Sequence, residues 1–383
     1  MGLSSRSEGR AGRPSGPASV DPPPMPRPTP LLRLSARPSS LSVPVLRPRG
    51  GRSLGEAIAA VPPPPPVAES PAPSGAVPLV RGGVAVRPIR ASDLQAVLEL
   101  IDADRLPGRP SCDPHALRRA LSGDFPGDPR GWSGFGEVRT VVVVEADRVL
   151  GAASYATKIT DGTGWLLWLH AGEDRALVDA LLDHVLRELG DSTRRRAFSV
   201  ATGLSFGADA LPIRGRPATH AALRARGFER HTSWRYLVAW LDRQALGTPD
   251  SSLARAEAIA GPGEHPGWRL SVETARTPAA VLEVALGPDR CGLVQGLEVE
   301  PAYRGRGLER SLLREGMRFL RSQGAATAAA CVETFPLGDP GSQEVLDLLE
   351  GAGFEDVDEL WSYEAPAAGE HRTQLIRLPT RFR

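Results

Sequence analysis

The sequence predicts two α/β (α+β) domains in tandem, each a twisted mixed sheet flanked by helices, behind a disordered proline-rich leader. Three observations predict this. Strand and helix patterns alternate from residue 84 onward, a segment from the middle of the chain recurs near its end, and 19 of the 37 prolines fall within residues 1–80. At 383 residues and 41% hydrophobic content, the chain has apolar material for two cores.

Residues 1–80 hold few aromatic or periodic apolar positions, so they cannot bury enough surface to offset the entropy of ordering. The run "VPPPPPV" at 61–67 favours an extended polyproline II conformation, which reads as a spacer or as a ligand for a protein partner's aromatic groove. Order is expected from "VAVRPIRASDLQAVLELIDAD", a strand at 84–89 leading to a helix capped by Ser92 or Asp93. A second helix is expected at 113–123. The alternating "TVVVVEADRVLGAASYAT" reads as a hairpin and the apolar "GWLLWLHA" as a buried strand. In "DRALVDALLDHVLREL", Leu177, Val178, Leu181, Leu182, Val185, Leu186 and Leu189 form one stripe at helical spacing. Strand "AFSVAT", helix "ATHAALRARG" and strand "SWRYLVAWL" complete a first domain over 81–245.

The second domain, 246–383, repeats the end of the first. "RARGFERHTSWRY" (224–236) matches "EGAGFEDVDELWSY" (350–363) in Gly-Phe-Glu and in Trp-x-Tyr, with one residue's difference in spacing, which identifies an internal duplication. Strands are expected at "WRLSVETA" and "AAVLEVAL", with no counterpart of the two early helices. "CGLVQGLEVE" is then a strand and "SLLREGMRFLRSQG" a helix, with Leu308, Leu312, Leu313, Met317 and Leu320 inward and Gly324 closing its end.

Between them lies "PAYRGRGLER", 301–310. A turn from strand to helix exposes free N–H groups at the positive end of the helix dipole, and glycine lets an anion approach them. Arg304-Gly305-Arg306-Gly307-Leu308-Glu309 resembles the Gln/Arg-x-x-Gly-x-Gly/Ala signature of the GNAT acetyltransferase superfamily, and "LEVEPAYRGRGLERSLLREGMRFLRSQGA" is similar to its central motif. The resemblance implies a sheet splayed between its fourth and fifth strands, with acetyl-CoA in the gap. The backbone of Leu297 and Val299 would then hold the pantetheine arm, and the amides of Arg304, Gly305, Arg306, Gly307 and Leu308 the pyrophosphate. It further implies N-acetyl transfer to an amine, on a small molecule or a protein terminus. Glu309 departs from the signature, and Leu349 stands where the family often has a tyrosine acid. In the first domain the matching turn is "HAGEDRA", where Glu173 and Asp174 stand in place of donors, so that copy is expected to have lost coenzyme A.

An amine must lose a proton to attack a thioester, so a carboxylate near the gap is needed as general base. Glu298 and Glu333 are the candidates, and Tyr363 is a candidate acid. The alternative reading is a non-catalytic tandem module that binds a protein partner or senses acyl-CoA. A dinucleotide fold is disfavoured because the third glycine is missing and "PAYR" separates strand from loop. "GLSFG" would make Ser205 a hydrolase nucleophile, but no helix-forming segment follows it. A net charge of +1 argues against nucleic acid as a general partner. No apolar run is long enough to cross a membrane. Cys112, Cys291 and Cys331 are far apart without metal-ligand spacing, so no metal site is expected and the compartment reads as cytoplasmic.

Overall fold

The computed structural model describes residues 83–124, 132–190, 194–204, 209–249, 253–261, 265–273, 277–334 and 340–367. The proline-rich leader and Ser205 lie outside these ranges. The first half runs β1 (Val84–Pro88), α1 (Leu94–Ala103), α2 (Pro114–Ser122), β2 (Arg139–Glu145), β3 (Arg148–Thr157), β4 (Gly164–His170), α3 (Arg175–Leu189), β5 (Arg195–Ala197), β6 (Leu211–Pro212), α4 (Pro217–Ala225) and β7 (Glu229–Trp240). The second runs β8 (Arg255–Ala260), β9 (Pro266–Glu273), β10 (Pro278–Leu286), β11 (Cys291–Val299), α5 (Leu308–Ser322), β12 (Thr327–Glu333), α6 (Pro340–Glu350) and β13 (Glu355–Ala365).

Local chemistry accounts for most boundaries. Asp113 accepts a hydrogen bond from Ala116 N–H at 2.7 Å with Pro114 at the first helical position, which starts α2. Asp174 caps α3 by accepting from Ala176 and Leu177. Asp93 has a different part from the cap expected of it. It accepts from Arg90 N–H at 2.7 Å and pairs with Arg87 at 2.6 Å, closing a 3₁₀ turn ahead of α1. β5 is shorter than the apolar run 197–202 suggests, because Phe198 takes φ 54° and turns the backbone out of the strand. β8 escapes the apolar pattern altogether, since its residues are mostly exposed and only backbone pairing with β9 defines it.

The strands form one mixed sheet in the order β1-β2-β3-β4-β5-β13-β7-β12-β11-β10-β9-β8, with β6 paired to β13. The last strands of the two halves are exchanged. β13 pairs with β5 of the first half, and β7 pairs with β12 of the second along its length, from Thr327↔Trp240 to Glu333↔Trp234. β7 and β13 also pair with each other, and Trp234↔Leu360 and Ser233↔Trp361 sit at the centre of that pairing. The repeat matches Ser233 to Leu360 and Trp234 to Trp361, so each of these pairs is the image of the other under a pseudo-two-fold axis.

One core gathers Val143, Leu166, Leu181, Val185 and Phe228 under α3 and α4, and it includes Tyr363 from β13. Another gathers Leu282, Leu297, Leu312, Met317 and Leu349 under α5 and α6, and it includes Leu237 and Ala239 from β7. Each half thus builds its core around a strand from the other. Among the described residues between β7 and β11, the second half has no counterpart of α1 and α2. The α1–α2 connection of the first half lies on its sheet instead. Tyr236 Oη donates to Pro107 O at 3.0 Å, and Ser111 N–H donates to Asp289 Oδ2 at 2.8 Å. Gly108, at φ 75°, lets this connection come close, because a Cβ there would meet both methyls of Val238 at 2.8 Å.

Expressed separately, 81–245 would lack β13 and 246–383 would lack β7, which leaves the central sheet of each open. Neither piece is expected to give a cooperative melt by circular dichroism, while mixing the two restores one; an independent melt of 246–383 would contradict the exchange.

Candidate functional site

β11 and β12 run parallel and pair from Cys291↔Thr327 to Val294↔Ala330, then part. The parting follows a bulge: Gly296 faces Glu283 and Val294 faces Val284 on β10, leaving Gln295 as the extra residue. Beyond it, the bond from Glu300 N–H to Ala279 O at 2.9 Å fixes which backbone groups meet β10. Antiparallel pairs alternate between bonded and non-bonded, so Glu298 and Gly296 face β10, while N–H and C=O of Leu297 and Val299 turn into the gap left by β12. The Leu297 and Val299 side chains are buried against α5, which holds this edge in place.

The chain leaves β11 through a 3₁₀ turn at Pro301–Tyr303 and enters α5 at Gly307, whose φ of 77° is left-handed and which has no side chain to cap the helix. Gly305 is also left-handed, at φ 69°. A Cβ on Gly296, Gly305 or Gly307 would meet nothing within 4 Å, so there is free space above both the loop and the strand edge. Arg304 folds inward and donates from Nε to Val299 O at 3.1 Å, and Arg306 lies over the Tyr303 ring at 5.5 Å. The free amides at the start of α5 and the turned edge of β11 thus face one open groove. One carboxylate intrudes. Glu309 reaches back over the first turn, with Oε1 3.4 Å from Gly305 N.

Glu298 and Gly296 point to the sheet face opposite α5, and so do Cys331 and Glu333 on β12, because Val332 and Ala330 point into the α5 core. Glu298 is exposed. Glu333 is half-buried at the end of β12, and burial raises its carboxyl above the usual carboxylate range. Burial also pushes the Cys331 thiol up to about 11, and it lies within the core. Tyr363 is not with them. Strand exchange carries it into the first half, where it pairs with Ala197, is wholly buried and places its hydroxyl 2.7 Å from His220 Nδ1. Leu349 is buried under the sheet and offers no acid.

The family comparison matches residues 223–343 to the description "Acetyltransferase (GNAT) family". Residues 223–343 carry the match to a GNAT domain. That match includes β7 together with every strand from β8 to β12. No curated protein matches the chain. Among solved structures, the chain is similar to a tandem GNAT protein from the clavulanic acid biosynthesis pathway, at 16% identity over 74% of this chain and 98% of that one, with a TM-score of 0.47. It is also similar to a GCN5-related N-acetyltransferase from Sphaerobacter thermophilus, at 13% identity, 74% and 96% coverage and a TM-score of 0.45.

The first half repeats the GNAT domain's strand geometry without its loop. β4 and β5 pair only from Gly164↔Arg195 to Leu166↔Ala197, and a bulge on β4 sets Leu167 apart in the way Gln295 is set apart on β11. The turn that follows is short, and its acids serve as helix caps. Glu173 accepts from Ala218 N–H at 2.7 Å, Thr219 N–H at 3.0 Å, Thr219 Oγ1 at 2.6 Å and Arg216 Nε at 3.1 Å, which satisfies the start of α4. Sequence reasoning marked Glu173 as an obstacle to an anion, and the structure gives it a positive role as a cap.

Two outcomes follow for the second-half loop. If the groove takes coenzyme A, Glu309→Ala removes the competing carboxylate and should tighten it about tenfold, most at low salt, when followed by calorimetric titration. Gly307→Glu is strained at its left-handed φ and adds charge at the amides, so it should abolish the heat of binding in a folded protein. Unchanged affinity would show that the groove holds no phosphate.

Proposed function

We propose that the second half is an N-acetyltransferase that binds acetyl-CoA in the groove between β11 and α5 and passes the acetyl group to an amine. The observation that carries this reading is the outward-turned backbone of Leu297 and Val299, with Val299 O already bonded by Arg304, leading to the glycine-opened amides of 305–308, while the Arg304 N–H is held by Pro301 O at 3.4 Å. An extended amide-bearing arm can pair with the first, and a pyrophosphate can sit on the second. The open space over Gly296, Gly305 and Gly307 gives the groove room for both. Acetyl-CoA supplies the activated acetyl group.

The chain's own part in the chemistry is proton removal and positioning. Glu333 stands on the acceptor face of the gap with its proton affinity raised by burial, which suits a group that must take a proton from an ammonium near neutral pH. Glu298 shares that face and, being exposed, serves better to attract the cationic acceptor than to deprotonate it. No tyrosine is needed as the acid. A departing thiol of ordinary acidity, with a pKa near ~8.5, can leave as the anion and take its proton from water. The three cysteines are free thiols, which suits a reducing cytoplasmic setting.

The second reading, a module that senses acyl-CoA without turnover, has one specific observation in its favour, the Glu309 carboxylate lying at the Gly305 amide. Turnover of acetyl-CoA with a panel of amines separates the two. Under the enzymatic reading, Glu333→Gln lowers kcat by about 10²–10⁴ while leaving the KM for acetyl-CoA unchanged. A base must be ionised, so the wild-type rate falls as pH falls through the raised pKa of Glu333, and that limb vanishes in the variant. An unaltered pH profile would remove Glu333 from the mechanism.

A further inference from the structure

The first half has a pocket of its own, away from the second-half groove. It encloses only about 30 Å³ and opens to solvent, and it lies where β4 and β5 part, roofed by the end of α1 and the α1–α2 connection. Its apolar lining comes from Ile101, Trp168, Phe198, Leu204 and Leu211. Most of its charged groups are already matched. Asp104 takes His170 Nδ1 at 3.0 Å and Arg216 at 3.5 Å, Arg216 also holds Glu173, and Asp209 takes both the N–H and Oγ1 of Thr202 at 2.8 Å. Arg105 pairs with Asp102 at 2.7 Å.

Arg109 is the exception. Only 7% exposed, it lines the pocket with no acidic partner, and Nε and Nη2 have no hydrogen-bond partner among the described residues. Those two nitrogens are the edge of a guanidinium that grips a carboxylate with two parallel bonds. The indole Nε1 of Trp168, another lining residue, is buried and has no hydrogen-bond partner among the described residues. The backbone at Arg109 is fixed: its N–H donates to Leu106 O at 3.2 Å, its carbonyl accepts from Arg105 Nη1 at 2.8 Å, and its guanidinium lies 5.2 Å over the Tyr236 ring. A buried guanidinium with no acidic partner, and only the Tyr236 hydroxyl as a polar side-chain contact among the described residues, is costly, and an anion against its unpartnered edge offsets that cost.

We infer that this pocket binds a small organic carboxylate with an apolar body, its carboxylate on the Arg109 fork and its body against Trp168 and Phe198. The enclosed space is small and both fork nitrogens are closed to solvent, so binding includes a shift of the Arg109 side chain that widens the pocket toward the ligand. The inference is independent of acetyl transfer, because the first-half turn carries no glycine loop and the carboxylate of Glu173 holds the start of α4.

The test uses the full chain and ligand-observed saturation-transfer NMR with hexanoate and phenylacetate, against hexanamide, phenylacetamide and inorganic phosphate. At least one acid should bind, its amide should not, and phosphate should not displace it. Arg109→Gln should weaken the acid at least about tenfold, and Arg109→Lys, which keeps the charge but lacks the fork, should weaken it similarly. Because the unpaired charge is then gone, Arg109→Gln should melt at or above the wild-type temperature. The inference fails if neither acid binds, if the amides bind equally, if phosphate competes, if lysine suffices, or if Arg109→Gln melts far below wild type, since Arg109 would then be structural.

Discussion

The pairing of β7 with β13 is the constraint on which the rest of the molecule depends. Two strands of common ancestry lie antiparallel across a pseudo-two-fold axis, and each completes the sheet of the half to which it does not belong in sequence. Other contacts reinforce the exchange. Asp358 of β13, 1% exposed, accepts from the amides of Arg214 and Gly215 at 2.9 and 2.7 Å, which ties the strand to the first half. Arg214 and Gly215 are themselves exposed, so removing that carboxylate would lose two charge-assisted hydrogen bonds, at roughly 1.5–3 kcal/mol each, and leave their amides to water. Arg235 of β7 pairs with Asp356 of β13 on the same ribbon. Folding is therefore a property of the whole 83–367 region, although the duplication has two units.

The same two-fold logic makes the differences between the halves informative. Each has a carboxylate at the start of its central helix, and the number of bonds it makes decides its part. Glu173 has four donors within 3.1 Å, and hydrogen bonds to a charged group contribute roughly 1.5–3 kcal/mol apiece, so no incoming anion displaces it. Glu309 has one donor at 3.4 Å, beyond the usual N–H···O range. A pyrophosphate that offers several oxygens to several amides would outcompete so thin a contact. The first turn is closed by construction, and the second is only shaded.

Much of this was legible in the sequence. The stripe from Leu177 to Leu189, the 140–157 hairpin and the glycine turn at 304–308 all depend on local periodicity or local backbone chemistry, and all appear as expected. The duplication was visible because Gly-Phe-Glu and Trp-x-Tyr survive in both copies. Tyr363 shows where such reading stops. Its place in the repeat is clear, but strand order is set by long-range pairing that leaves no local trace, and exchange puts it in the other core. The partners of Arg109 could not be read either, because an unpaired charge is known only once every neighbour is placed.

The parting of the strands occurs in both halves, so it cannot by itself decide which of them takes a long ligand. Counting from the bulges, Trp168 on β4 answers to Gly296 on β11, and His170 answers to Glu298. At Gly296 a Cβ would meet nothing within 4 Å, whereas at the first-half position an indole fills the space and the next acceptor-face residue, His170, is locked to Asp104. Burial lowers the pKa of His170 despite that carboxylate. One residue with no side chain and one with the largest therefore separate an open groove from a small pocket on what is otherwise the same framework. On the two readings proposed above, a short ligand would fit the first half and an extended one the second, and the two would not compete.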